Sequence, residues 1–271
     1  MNRKYILSFF LLIINFNNSF AQSWTSLFDG NSLAGWVQRG GNAYYKVEDG
    51  TIVGYSRLST LNSFLCTNET YRDFILEFDF LVDGALNSGV QLRSHTSWFY
   101  KKGSVYGDQF EIDPSERAWT GGIYDESRRG WLYPLTENVP AQNAFKRNQW
   151  NKARIEAIGS RIRTWVNDIP CSDLIDEVDS EGFIALQVHT IGGDSTKDGK
   201  TVCWRNLRIC TKDVEHFLTP DYNSIPQVYA KAPKYSIKDV ASNQELFMGL
   251  VSIIFITLGA VCVLKIKRVR H

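Results

Sequence analysis

From Trp24 to about Thr211, apolar side chains recur at every second position in short runs separated by Gly, Asn and Asp, and no stretch sustains a helical stripe. A chain written this way has to bury one face of each of many strands, so the expected fold class is all-β. Phe74, Leu76, Phe78, Phe80 and Val82 alternate against Glu77 and Asp79 and predict a long strand with one side in the core. Tyr44 to Val47 and Thr51 to Gly54 flank Glu48-Asp49-Gly50 and predict a hairpin. Lys152 to Ile158 and Arg161 to Val166, joined by Gly159-Ser160, predict a second.

The ends carry a different pattern. Arg3 and Lys4 precede an apolar run from Tyr5 to Ile14 and small residues up to Ala21, the layout of a secretory signal over residues 1–21. Residues 246–264 are apolar and uncharged, long enough to span a bilayer as a helix, and Lys265, Lys267, Arg268 and Arg270 in residues 265–271 place that tail in the cytoplasm. The expectation is an exported domain over residues 22–212, facing the periplasm or the medium. A proline-bearing stalk over residues 213–245 would join it to a single membrane anchor. With 30 Lys and Arg against 29 Asp and Glu, there is no basic surface for nucleic acid. Cys66, Cys171, Cys203 and Cys210 permit disulfides in an oxidising compartment or stand as buried thiols. On one continuous strand Cys203 and Cys210 would point to opposite faces. No CxxC, HxH or HExxH spacing suggests a structural zinc site.

Side chains two apart on a strand share a face, so apolar neighbours identify which polar residues point away from the core. Val90 and Leu92 turn inward and leave Gln91 and Arg93 outward. Phe110 and Ile112 leave Gln109, Glu111 and Asp113 together. Ile184, Leu186 and Val188 leave Gln187 and His189. If these strands lie in one sheet, the outward face gathers an arginine, two carboxylates, glutamines and a histidine, a set suited to holding sugar hydroxyls and moving protons. Residues 107–135 are too polar and glycine-rich for plain core and read as a strand leading into a long loop. That loop offers Asp125, Glu126, Arg128 and Arg129 as acid, base or oxyanion candidates. Trp119, Tyr124, Trp131, Tyr133 and Trp165 are candidates to stack on sugar rings, or to pack in the core or at its rim.

LFDGNSLAGW, NSGVQLRS, GDQFEID, TGGIYDESRRGWL, QWNKARIEAIGSRIRTWVND, GFIALQVH and WRNLRI follow one another in this chain between residues 24 and 211. In that order they resemble the 3-keto-glucoside 1,2-lyase and 3-keto-2-hydroxy-glucal hydratase family, also described as 3-keto-disaccharide hydrolases. The resemblance implies a concanavalin A-like lectin/glucanase jelly-roll β-sandwich, bacterial export, and action on sugars oxidised at C3 by a partner oxidoreductase. For that chemistry the outward face offers Glu111 and His189 for the base and acid roles, in either order, and Arg93 for the keto or enolate oxygen. Gln91, Gln109, Asp113, Tyr124, Gln187, Trp165 and Arg129 would hold substrate. A divalent metal on Glu111, Asp113 and His189 would suit an enediolate as Lewis acid, although no ligand spacing demands it. The chain departs from many relatives where Gln109-Phe110-Glu111-Ile112-Asp113-Pro114 replaces Glu-x-Gln-Ile-x-Asp. Two other readings follow from the same residues. Glu111 and Glu116 mimic the glutamate pair of retaining β-glucanases, with Pro114 opposing the strand this requires. A sugar-binding, lectin-like module without chemistry would fit the fold equally.

Overall fold

The computed structural model describes residues 23–84, 86–221 and 225–233. Within them the strands form two sheets. The larger runs from edge to edge through β16 (Val228–Tyr229), β13 (Ile169–Ile175), β12 (Arg161–Val166), β11 (Asn151–Ile158), β6 (Phe74–Val82), β15 (Thr201–Cys210), β4 (Thr51–Tyr55) and β3 (Tyr44–Glu48), with β1 (Trp24–Ser26) also paired to β15. The smaller runs through β10 (Gly130–Tyr133), β9 (Ile123–Glu126), β8 (Val105–Ile112), β7 (Ser88–Thr96), β14 (Phe183–Val188), β5 (Ser63–Thr67) and β2 (Trp36–Gly40). The inner faces of both meet in one core, so the architecture is an all-β sandwich of two sheets.

The predicted hairpins form, β3 with β4 and β11 with β12. Asp49 and Gly50 both have positive φ, 47° and 70°, as a tight hairpin turn with the strands' own twist requires. Phe78 and Phe80 of β6 meet Phe110 of β8 edge to face, with centroids 5.8 and 6.2 Å apart. Burying each such ring stabilises by about 1.5–3 kcal/mol, which is why the alternation of β6 sets its register between β11 and β15.

Three expectations are corrected. The stretch read as a long loop contains the short strands β9 and β10, each four residues and so too brief to declare a period. The first part of the predicted stalk is not free of the domain. Val228–Tyr229 adds a parallel strand to β13, Asp221 pairs with Arg161 and Arg163 at 2.9 Å each, and Glu156 of β11 accepts from the Thr219 amide and hydroxyl at 2.8 Å. This strap is held through backbone groups and ion pairs rather than by an apolar stripe, which is why composition reads it as linker. Finally, a β-bulge between Arg205 and Arg208, with Asn206 at φ 54°, shifts the parity of β15. Val202, Trp204, Leu207 and Ile209 all reach the core, so Cys203 and Cys210 fall on the same side rather than opposite ones.

All four described cysteines are free thiols, and burial pushes Cys66 and Cys171 up to about 12, which leaves them unreactive. Among the described residues no helix is long and apolar enough to cross a membrane. The signal over residues 1–21, the end of the stalk from residue 234, the apolar run 246–264 and the tail 265–271 lie outside the described residues.

Candidate active site on the outward face of the smaller sheet

The three strands on which polar residues were predicted to share a face are neighbours in the order β8, β7, β14. Their core-facing sides carry Phe110, Ile112, Val90, Leu92, Ile184, Leu186 and Val188, as the alternation predicted. On the opposite side lies a cavity of about 640 Å³ walled by Asn62, Asn87, Gln109, Glu111, Asp113, Ser115, Arg117, Tyr124, Glu126, Trp131 and His189.

Glu111 is its buried centre, 4% exposed. Asn87 Nδ2 donates to Oε1 at 2.6 Å and Gln109 Nε2 to Oε2 at 2.8 Å. Gln109 is itself oriented from behind: Ser94 Oγ donates to Gln91 Oε1 at 2.6 Å, and Gln91 Nε2 donates to Gln109 Oε1 at 2.7 Å. In this relay the Gln109 amide nitrogen faces Glu111. It depends on Gly89, where a Cβ would lie 2.3 Å from Gln109 Cδ and displace the amide. Burial drives the Glu111 carboxyl up to about 7 despite the Asn87 and Gln109 donors, with the Asp113 charge adding to the rise.

Asp113, two residues on, has the opposite character. Burial favours its neutral form, but Ser115 and Arg117 outweigh it and hold Asp113 below the usual carboxylate range, with Arg117 Nε 2.7 Å from Oδ2. The Arg117 guanidinium lies 4.8 Å from the ring centres of both Trp119 and Trp131. Two carboxyls in one cavity are therefore set apart, one poised to exchange a proton near neutrality and one held as an anion. His189 Nδ1 is 2.7 Å from its neighbour's carbonyl, Thr190 O. A carbonyl can only accept, so in the neutral ring Nδ1 carries the hydrogen and Nε2 is the free acceptor. Glu126 receives long bonds of 3.3 Å from Asn62 Nδ2 to Oε1 and from Gln187 Nε2 to Oε2.

Of the residues predicted from sequence, the fold brings Glu111, His189, Gln109, Asp113, Tyr124, Glu126 and Trp131 to this cavity. Gln91 and Gln187 stand behind it, fully buried: Gln91 positions Gln109, and Gln187 supports Glu126, its own Oε1 having no protein donor. Arg93 is not brought there. A bulge after Leu92, with Arg93 at φ 46°, breaks the parity of β7. The guanidinium instead donates to Arg72 O, Gly159 O and Ala157 O at 2.5, 2.6 and 2.9 Å, tying β7 to the β11–β12 hairpin. Arg129 also lies elsewhere. Tyr124 and Glu126 face the cavity, while Asp125 between them faces the other way and binds both Arg128 and Arg129. Arg129 then reaches Asp176 at 2.6 Å and Asp108 at 3.3 Å in a buried network. Trp165 is on the larger sheet, opposite Arg154 and under Arg163, away from the cavity. Glu116 is exposed in the turn beyond β8 and does not line the cavity with Glu111, so the glutamate pair of the β-glucanase reading is not assembled.

The sequence reading missed Asn62, Asn87, Ser115 and Arg117. All four lie in loops, where strand parity assigns no face. Among the described residues no group of three or more His, Cys, Asp or Glu side chains is arranged to hold a metal ion. The predicted trio does not fit one, because amide and guanidinium donors already point at the oxygens of Glu111 and Asp113.

A two-sheet β-sandwich with a poised carboxyl, a fixed anion, an arginine and aromatic walls in an outward cavity is the architecture of a carbohydrate-active protein. Residues 23–210 match the family model of the 3-keto-alpha-glucoside-1,2-lyase-like domain. The chain belongs to that family. Among solved structures, one described as a candidate glycosyl hydrolase from Parabacteroides distasonis ATCC 8503 aligns with a TM-score of 0.52 at 17% identity, covering 73% of this chain and 97% of its own. A second so described from the same organism gives 0.47 at 19%, covering 69% and 98%. A carbohydrate binding module from Bacillus subtilis gives 0.39 at 19%, covering 64% and 94%. The first of these likenesses bears on the fold alone. No curated protein matches the sequence.

Proposed function

We propose that the protein cleaves 3-keto-glucosides by removing the C2 proton and expelling the aglycone by β-elimination, and that it hydrates the resulting 3-keto-2-hydroxy-glucal. The observation that carries this reading is the environment of Glu111, buried at the floor of an open cavity and raised to about 7. A base of that strength is half ionised at neutrality, where general-base catalysis is most efficient. A C3 ketone acidifies the hydrogen on C2; Glu111 takes it, and the electron pair moves to the C3 oxygen as an enolate. Arg117, the arginine lining the cavity, supplies positive charge for that oxygen in the role the sequence suggested for Arg93. The enolate then re-forms the ketone and releases the C1–O bond. Asp113, held anionic, and Gln109 and Tyr124 receive sugar hydroxyls, with Trp131 as an aromatic wall. His189 Nε2 is the acceptor for the water that adds in the hydration step.

The substrate has to be supplied by an enzyme that oxidises a glucoside at C3. The amino-terminal and carboxy-terminal segments support export and attachment to the membrane through residues 246–264, with the sandwich on the outer side.

The test is incubation of the protein with a 3-keto-glucoside and its unoxidised parent in deuterated water, with and without a chelator. Aglycone release confined to the keto sugar, accompanied by C2 exchange, is the expected result. Cleavage of the parent glucoside would replace this reading with hydrolysis, and binding without turnover would replace it with a lectin-like role.

A further inference from the structure

Glu126 stands in a wall shared by two cavities. Asn62 and Glu126 line the cavity around Glu111 and also a neighbouring one of about 220 Å³, whose other lining residues include Leu61, Phe64 and Val105 together with Ser104, Ser127 and Thr190. The two differ in chemistry. The first offers carboxyls, amides and the Tyr124 and Trp131 rings. The second has Leu61, 75% exposed, beside Phe64 and Val105, which are nearly covered.

The segment carrying Leu61 is fixed in place. Thr190 Oγ1 donates to Thr60 O at 2.6 Å, the Thr190 amide to Asn62 Oδ1 at 2.8 Å, and the Asn42 amide to Thr60 Oγ1 at 2.6 Å. Leu61 is thus held beside the cavity by a braced backbone.

A glycoside has the same division, a polar ring joined to an aglycone through one oxygen, and that oxygen must lie at the boundary when both parts are seated. We propose that the second cavity receives an aglycone with an apolar, aryl-type face and that Glu126 delivers a proton to the departing glycosidic oxygen. This rests on the elimination reading above. As the C1–O bond breaks, its electron pair goes to the oxygen, the Glu126 carboxyl proton forms the new O–H bond, and Glu126 is left as carboxylate. Glu111 has meanwhile gained the C2 proton, so a proton returned from Glu111 to water and one taken up by Glu126 close the cycle. Burial raises the Glu126 carboxyl above its ordinary range, offset only in part by His189, Asn62 and Ser127, which favours its carrying a proton.

The experiment compares phenyl, 4-nitrophenyl and methyl 3-keto-glucosides with the wild-type protein, Glu126→Gln and Leu61→Asp. Glu126→Gln should lower cleavage of the phenyl substrate by about 100-fold or more, and that of the better 4-nitrophenyl leaving group by less than about tenfold, while C2 deuterium exchange persists. Leu61→Asp should lower the phenyl-to-methyl ratio of kcat/KM about fivefold, the effect of one apolar contact. Equal loss on both aryl substrates, or loss of exchange together with cleavage, overturns the acid role. An unchanged phenyl-to-methyl ratio overturns the aglycone compartment. A wild-type protein that neither exchanges nor cleaves any of the three overturns the elimination reading, and this assignment with it, whereas wild-type turnover with indifferent variants overturns this assignment alone.

Discussion

At the level of single residues, environment gives two neighbouring carboxyls opposite characters. Glu111 and Asp113 are two apart on one face, yet burial raises the first to about 7 while Ser115 and Arg117 hold the second below the ordinary carboxylate range. With Glu111 as base, its deprotonated form is the active one. For a 4-nitrophenyl 3-keto-glucoside, whose departure depends little on an acid, kcat/KM is therefore expected to rise with pH through about 7 and then level off. Glu111→Gln should lower it by about 100-fold or more. The same residue has a signature that needs no substrate. Its folded pKa lies above the ordinary glutamate value of 4.5, so between 4.5 and about 7 the folded state holds more protons than the unfolded state. Its contribution to stability is full below that window and is lost as pH rises through it. Urea unfolding at pH 5 and pH 8 should show wild-type protein losing about 1–3 kcal/mol from this group on going to the higher pH, a loss that Glu111→Gln abolishes. Equal pH dependence in the two proteins would mean that Glu111 is not held in a desolvated site.

At the level of elements, irregularities in strands decide which polar residues reach the cavity. The bulge in β7 removes Arg93 from the face that parity assigned to it and places it beneath the β11–β12 hairpin. Removing that side chain orphans the buried Ala157 carbonyl and breaks two half-buried bonds to Arg72 O and Gly159 O, so Arg93→Ala should cost about 2–4 kcal/mol in chemical denaturation. Activity per folded molecule should stay near wild type, because Arg93 touches nothing in the cavity. A fall in kcat without a fall in stability would restore Arg93 to the site. The strap gives a second case. Arg154 and Arg163 both pair with Glu156, and the strap adds the Phe217 and Thr219 carbonyls and Asp221 to the same cluster. A chain ended at residue 211 should be less stable than one ended at residue 233 by about 2–4 kcal/mol, measured by thermal or urea unfolding. Equal stability would return the strap to the status of linker.

Across the whole molecule, two sheets pressed together by one core leave the outer face of the smaller sheet open, with Gln109, Glu111, Tyr124 and Glu126 of the cavity on its strands and Asn62, Asn87, Arg117 and His189 on the segments beside them. Rigid strands hold Glu111, Gln109 and Tyr124, and the buried relay from Ser94 through Gln91 locks their supporting amides. At the same scale, the apolar run 246–264 leads to an expectation about location. Deletion of residues 246–271 should move the protein from the membrane to the soluble fraction without changing turnover of a 3-keto-glucoside, checked by fractionation and assay of both forms. An unchanged distribution would remove the anchor from the proposal.

Period-two alternation by itself determined that this chain folds as β-strands, which faces of β6, β7, β8 and β14 turn inward, and that Gln109, Glu111 and Asp113 emerge together. It could do so because the pleat makes parity a local property of consecutive residues. Seven motifs in register were enough to point to the family. Tertiary structure decided the rest. A bulge adds one residue with no mark in the alternation, so Arg93 and Cys210 could not be placed by counting. Asn62, Asn87 and Arg117 come from loops whose paths are set by what they pack against. The strap over the larger sheet is attached by hydrogen bonds to backbone carbonyls, which every residue possesses and no composition reveals. The proton affinity of Glu111 depends on how much water the assembled sheet excludes, a quantity that exists only once the chain has folded.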